Sequence, residues 1–205
     1  MPRAYGLMSW SQDDKKMLIY DRYDIWEVDP EGILKSIRIT PEGRKNQQKY
    51  RYIKLKKEER FIEKNQTLLL HAFNEVDKTE GIYSLKYSPG ARLSMLSSGP
   101  SQYRSIQQAQ EGKELIFTQA NFSTFPDIKS TRSFKKINTI SQANPQQNTY
   151  NWGTAELYHW TSLDGQPLEG LLIKPENFDP SKKYPMIVNF YEQSSDNLYR
   201  HHAPN

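Results

Sequence analysis

Apolar and aromatic residues come in short runs that end in turn chemistry, and no stretch of the first 150 residues keeps an apolar period of about 3.6. A chain of this kind builds sheets, not long helices. The first runs are Tyr5–Trp10, Lys16–Tyr20, Tyr23–Val28 and Ile33–Ile39, with Asp29-Pro30-Glu31-Gly32 supplying a turn whose proline holds the favoured second position. Tyr50–Leu55, Thr67–Asn74, Gly81–Tyr87 and Arg92–Leu96 form a second set. Gln102–Ala109, Glu114–Gln119, Asp127–Thr131 and Phe134–Ile140 form a third. Each set suits one four-stranded antiparallel unit, with Asp24–Val28, Gly81–Leu85 and Pro126–Ile128 as the corresponding third strands. The aromatic content points the same way. Thirteen Tyr, eight Phe and four Trp exclude a disordered chain and fit pleated, half-buried surfaces.

The pattern changes at residues 141–148, a polar stretch with one proline that reads as a linker. Beyond it, Thr154–Ser162 and Pro167–Lys174 flank Leu163-Asp164-Gly165-Gln166, and Asp-Gly between alternating runs is a strong hairpin signal. A loop rich in Pro, Asn and Asp follows. Met186–Tyr191 then reads as a buried strand, nearly continuous in apolar character. The expected units are therefore residues 1–148 and 149–205.

Composition excludes several functions. The net charge is +4, but the basic residues are diffuse, and the densest run, Lys54–Arg60, mixes both signs. A nucleic-acid site needs cations gathered on one face, so none is expected. No apolar stretch approaches the ~18 residues of a membrane helix. The chain has no cysteine, and the adjacent His201 and His202 would point to opposite faces of an extended segment, so no metal or cofactor is expected. His71 and His159 read as packing or surface residues, Asp13-Asp14 and Glu58-Glu59 as turn or loop acids, and the four tryptophans as packing. Ser194-Ser195 lacks the flanking glycines a strained nucleophile turn requires, and Gly-x-Ser-x-Gly occurs nowhere.

The stretch Trp152-Gly153 to Gly165, then Leu168–Phe178, then Lys182-Lys183-Tyr184-Pro185 leading into Met186–Tyr191, resembles the start of the catalytic domain of the prolyl oligopeptidase and dipeptidyl peptidase family of serine peptidases. Asp24-Ile25-Trp26 and Phe125–Ile128 resemble propeller strands of the same enzymes. The resemblance implies a mainly β fold: about three four-stranded antiparallel blades of a partial β-propeller, followed by the first strands of an α/β-hydrolase domain. It implies an internal fragment of a peptidase that cleaves a peptide substrate with a Ser-Asp-His triad, the triad lying outside this chain. The fragment itself is then expected to be inactive. Tyr191 matches the position of a tyrosine that donates its hydroxyl to the oxyanion. The resemblance also leans towards a periplasmic or extracellular setting. The competing reading is a non-catalytic β-propeller module that binds a protein or polysaccharide. Either way, exposed strand edges are expected, which invite pairing with other chains.

Overall fold

The computed structural model describes residues 3–90 and 92–202. The chain is mainly β, folded into several small antiparallel sheets. The first contains β1 (Leu7–Ser11), β2 (Met17–Tyr20), β3 (Ile25–Val28), β4 (Ile37–Arg38) and β6 (Phe61–Ile62), in the order β4-β3-β2-β1-β6. Its strands are antiparallel except for β6, which lies parallel to β1. The second holds β5 (Gln48–Tyr52), β7 (Thr67–Asn74), β8 (Glu80–Lys86) and β9 (Leu93–Gly99) in the order β5-β7-β8-β9. The third runs β10-β11-β12-β13, from Gln102–Gln108, Leu115–Ala120, Asp127–Thr131 and Asn138–Thr139. The hairpin of β14 (Thr154–Thr161) and β15 (Pro167–Lys174) stands as a fourth.

The second sheet is the middle layer, and its sequence shows why. In the β7–β8 register, Leu68 faces Leu85, Leu70 faces Tyr83 and Ala72 faces Gly81. These residues share one face and join Leu18, Ile25, Tyr50 and Ile62 in a core shared with the first sheet. The alternate residues, with Leu69 opposite Ser84 and His71 opposite Ile82, look towards the third sheet. There Ile82 packs with Tyr103, Leu115, Phe117 and Phe134. A strand covered on both faces loses simple alternation, which accounts for the run Leu68-Leu69-Leu70-His71-Ala72-Phe73. Each fully buried Leu or Ile contributes roughly 1.5–3 kcal/mol relative to an exposed one.

Buried acids tie the layers together. Asp24 is fully buried at the start of β3 and accepts from the Thr40 hydroxyl (3.0 Å), the Gly43 amide (3.0 Å) and the Arg44 amide (3.1 Å). It therefore holds the crossover from the first sheet to β5. Gly43 belongs there because a Cβ would overlap the Asp24 carboxylate. Glu80, 3% exposed, accepts from His71 Nε2 (2.8 Å), both terminal nitrogens of Arg104 (2.6 and 2.7 Å) and the Tyr103 amide (3.0 Å), joining the second sheet to the third. Glu75, after β7, accepts from Arg22, the Tyr23 hydroxyl and Lys49. Burial pushes its carboxyl up, but Lys49, Tyr23 and Arg22 outweigh that and hold it below the usual range.

Several sequence expectations are corrected. The run Ile33–Ile39 shrinks to the two residues of β4, because the Asp29 carboxylate accepts the amides of Glu31 (3.0 Å) and Leu34 (2.9 Å) and fixes a loop. Phe134–Ile140 shrinks to β13, since the Thr131 hydroxyl donates to the Lys136 carbonyl and accepts the Phe134 amide. Residues 186–191 form no strand. The three larger sheets stack through two successive cores and close no ring, so the radial blades of a propeller are absent among the described residues. No α-helix occurs there either, only 3-10 turns at Pro145–Thr149 and Ser194–Asn197.

Candidate functional site

Tyr191 is 86% exposed, at the end of an extended segment in which Met186, Ile187, Val188 and Phe190 are also exposed. The run is apolar on both faces, so it needs cover on both. No described strand pairs with it. The loop before it is ordered by its own contacts. Phe178 stacks on Tyr184 at 5.1 Å, and the Asp179 amide donates to the Tyr184 hydroxyl at 2.9 Å. The Tyr191 hydroxyl makes no hydrogen bond among the described residues, so it is free to donate to a ligand.

Just beyond Tyr191 the chain is clamped. Lys78, on the β7–β8 turn, is 4% exposed, donates to the Glu75 carbonyl (2.7 Å) and to Glu169 on β15, and forms an ion pair with Asp196 (3.3 Å) in the second 3-10 turn. Glu169 also accepts the hydroxyl of the buried Ser195 (2.8 Å), and His159 Nε2 lies 3.6 Å from it. Serine, carboxylate, lysine and histidine thus meet in one place, but not in a catalytic order. The serine proton is given to the carboxylate rather than to an imidazole. Burial raises the Glu169 carboxyl, but Lys78 and Ser195 outweigh that and leave it below the usual range, a poor base. Two ammonium donors of Lys78 are engaged in hydrogen bonds, and Asp196 pairs with its charge. The Lys78 ammonium is the staple that docks the hairpin and the segment after Tyr191, through their carboxylates, onto the middle sheet.

Lys78→Met tests that role. Removing the ammonium leaves Glu169 and Asp196 facing each other. Both side chains keep about a third of their surface in water, so the expected cost is roughly 1–3 kcal/mol, below that of breaking a fully buried pair. Hydrogen exchange of the amides of residues 194–198 should speed up by about tenfold or more, while β7 keeps its protection. Unchanged exchange at 194–198 would remove the staple.

His201 and His202 part company, as adjacent residues on an extended chain do. His201 stacks on Trp152 (5.2 Å between centroids, 11° between planes) and meets Phe125 edge-on at 5.4 Å, while His202 lies 6.1 Å from Phe122. Trp152 donates its indole N–H to the Phe122 carbonyl at 3.0 Å. Both His201 ring nitrogens are buried with no hydrogen-bond partner among the described residues, and burial pushes its pKa down. His71 is bound to Glu80, whereas His159 is largely exposed. No group of three His, Asp or Glu residues among the described residues could hold a metal.

A cavity lies elsewhere, between residues of the first and second sheets. It measures about 760 Å³, and its walls include Glu27, Ile37, Arg38, Ile39, Ile62 and Leu85. Tyr87 closes one side, donating its hydroxyl to Glu27 (2.6 Å), and Lys16 lies 3.6 Å from the same carboxylate. Burial and that carboxylate hold the Tyr87 phenol above its ordinary range. The volume falls within the ~300–1,000 Å³ of small-ligand sites. Tyr191 is not among the residues lining it.

With this geometry in view, comparison with known proteins is informative. No family model matches the sequence, and no curated protein matches it. Solved structures do. A serine-to-alanine variant of AtxE2 isopeptidase with Astexin3-dC4 bound superposes with a TM-score of 0.52 at 12% identity, over 90% of this chain and 27% of that one. The same isopeptidase in its apo form gives 0.53 at 10% identity, with the same coverage. The chain shares the fold of part of an isopeptidase. It spans about a quarter of the length of those proteins.

These findings overturn the resemblance to the prolyl oligopeptidase and dipeptidyl peptidase family. The solved neighbours are isopeptidases, the stacked sheets form no propeller, and the expected opening strand of an α/β-hydrolase sheet is unpaired chain. The motif read as a family signature has a local cause instead. Gly153 lies so close to the Lys174 carbonyl that a Cβ would overlap it, and Gly165 takes φ 83° in the hairpin turn. Both glycines are what a tight hairpin needs.

Proposed function

We propose that this chain is the non-nucleophilic part of a peptide-bond hydrolase of serine type, whose nucleophile, base and acid lie outside these 205 residues. In this reading residues 1–148 form a wall beside a peptide substrate and residues 149–205 lead into the catalytic unit, with Lys78 stapling one to the other. Tyr191 supplies a phenolic donor to the developing oxyanion. The observation that carries the reading is the likeness in fold to an isopeptidase over 90% of the chain. The exposed, unbonded phenol of Tyr191 supports the donor role, and the lack of any Gly-x-Ser-x-Gly supports an external nucleophile.

Two measurements test it. A fluorophosphonate probe should leave the 205-residue chain unlabelled, and labelling would show that a nucleophile is present after all. In a hydrolase that contains the chain, Tyr191→Phe should lower kcat by roughly 10²-fold with KM within about twofold, as the loss of one oxyanion donor does. An unchanged kcat would remove Tyr191 from the chemistry.

A further inference from the structure

We propose that the cleft between the first two sheets is a docking site for an extended peptide with apolar side chains at alternate positions and acidic side chains between them. The inference stands apart from the role of Tyr191, which does not line this cleft.

Three observations carry it. The first is an open sheet edge. Among the described residues the two-residue β4 pairs only with β3, and no strand lies on its other side. A strand with bare backbone groups accepts another extended chain by continuing the ladder. The second is apolar surface at that edge. Ile37 is 56% exposed, and it leads into a cleft floored by Ile39, Ile62 and Leu85. An extended peptide lying along the cleft would set every second side chain on that floor and the others towards its rim, because side chains alternate along a strand. The third is an imbalance of free charge. Both carboxylates of the cleft are already engaged: Glu27 by Lys16 and the Tyr87 hydroxyl, and Asp13 by the Ser11 hydroxyl and the Lys15 amide. The cations are freer. Lys64 is exposed and makes no ion pair or hydrogen bond among the described residues. Among the described residues the only ion pair of Arg38 is a 3.7 Å approach to Asp24, and its guanidinium donates no hydrogen bond there. Free donors without free acceptors select a carboxylate.

Fluorescence anisotropy with labelled nonapeptides tests the proposal. A peptide of alternating valine and glutamate should bind saturably and weaken as salt rises. Its valine–lysine and serine–glutamate counterparts should bind at least about tenfold more weakly, since one reverses the charge and the other removes the apolar residues. Ile37→Glu and Lys64→Glu should each reduce affinity by a similar factor, and both positions are exposed, so far-UV circular dichroism should not change. The proposal is overturned if the valine–glutamate peptide fails to saturate, or if the serine–glutamate peptide binds as well. It is also overturned if Ile37→Glu leaves affinity intact, or if the edge is filled instead by a second copy, seen as a peptide-independent dimer that Ile37→Glu dissolves.

Discussion

Replacing Glu80 with glutamine is expected to lower the unfolding free energy by about 3 kcal/mol at neutral pH and by under about 1 kcal/mol below pH 2.5. Burial pushes the Glu80 carboxyl up. The hydrogen bonds from His71, Arg104 and the Tyr103 amide more than offset this and bring it to about 2, against 4.5 for a free glutamate. A carboxyl whose folded pKa is depressed adds stability above its unfolded value, and loses it as pH falls from 4.5 towards about 2. The glutamine keeps an oxygen for the Tyr103 amide and for His71, which share one carboxylate oxygen, but sets its own N–H groups against those of Arg104 at the other. Arg104 is half exposed and can turn to water, so the loss is that of the charge and not of a stranded cation. Since the ionised carboxylate only accepts, it also fixes the tautomer of His71 as the one with a proton on Nε2. Urea denaturation of both proteins at pH 7 and pH 2.5 decides the matter. An equal gap at the two pH values would show that the ionised carboxylate is not what joins the second sheet to the third.

Much of the strand pattern could be read from the chain, because it depends on local chemistry. The hairpin around Asp164-Gly165 forms in the register its alternation implies, from Thr154 opposite Lys174 to Thr161 opposite Pro167. The run Thr67–Asn74 is a strand over the span read from the sequence. The failures come where a side chain competes with the ladder. Asp29 and Thr131 capture backbone amides and turn two expected strands into loops. β6 was not legible, since two residues inside a charged run become a strand only through a non-local parallel pairing with β1. Residues 186–191 have strand composition without a strand partner. Composition reports a need for cover and not where the cover comes from.

The candidate site was less legible than the fold. Tyr191 was singled out by resemblance and not by its own chemistry; it is exposed, and its hydroxyl makes no hydrogen bond among the described residues. The ionic nodes could not be, because Glu75, Lys78 and Glu80 look like any charged β-turn. Their importance arises from partners 53, 91 and 24 residues away in sequence. The weak signal was the density of charge at residues 75–80, next to a strand too apolar to end at a solvated edge. The cleft was invisible for the same reason: its walls come from four separate strands and the end of a fifth.

Asp24→Ala is expected to cost about 3–5 kcal/mol, the largest loss from any single exchange considered for this chain. The side chain is wholly buried, so no solvent replaces the contacts it loses. Removing the carboxylate leaves the Gly43 amide only a long 3.4 Å bond to the Thr40 carbonyl, takes the partner of the Arg44 amide and takes the acceptor from the Thr40 hydroxyl, which itself receives the Ile25 amide at 2.8 Å. The damage therefore reaches the first residue of β3 as well as the crossover. Asp24→Asn should be nearly as harmful, because one amide arm would face the Arg44 N–H or the Arg38 guanidinium, 3.7 Å from the present carboxylate. At ~2–4 °C per kcal/mol for a chain of this size, the alanine variant should melt roughly 6–20 °C below the parent. Thr40→Val provides the internal check, since it removes one branch of the network and should cost about 1–3 kcal/mol. If Asp24→Ala melts within about 2 °C of the parent by differential scanning calorimetry, the crossover is held by the apolar contacts of Ile25 and Ile39 alone. The anchoring role of the carboxylate would then be wrong. A loss of the expected size would instead show that the turn from Thr40 to Gln48 is placed by one buried acid, and with it the angle at which the two sheets open into the cleft.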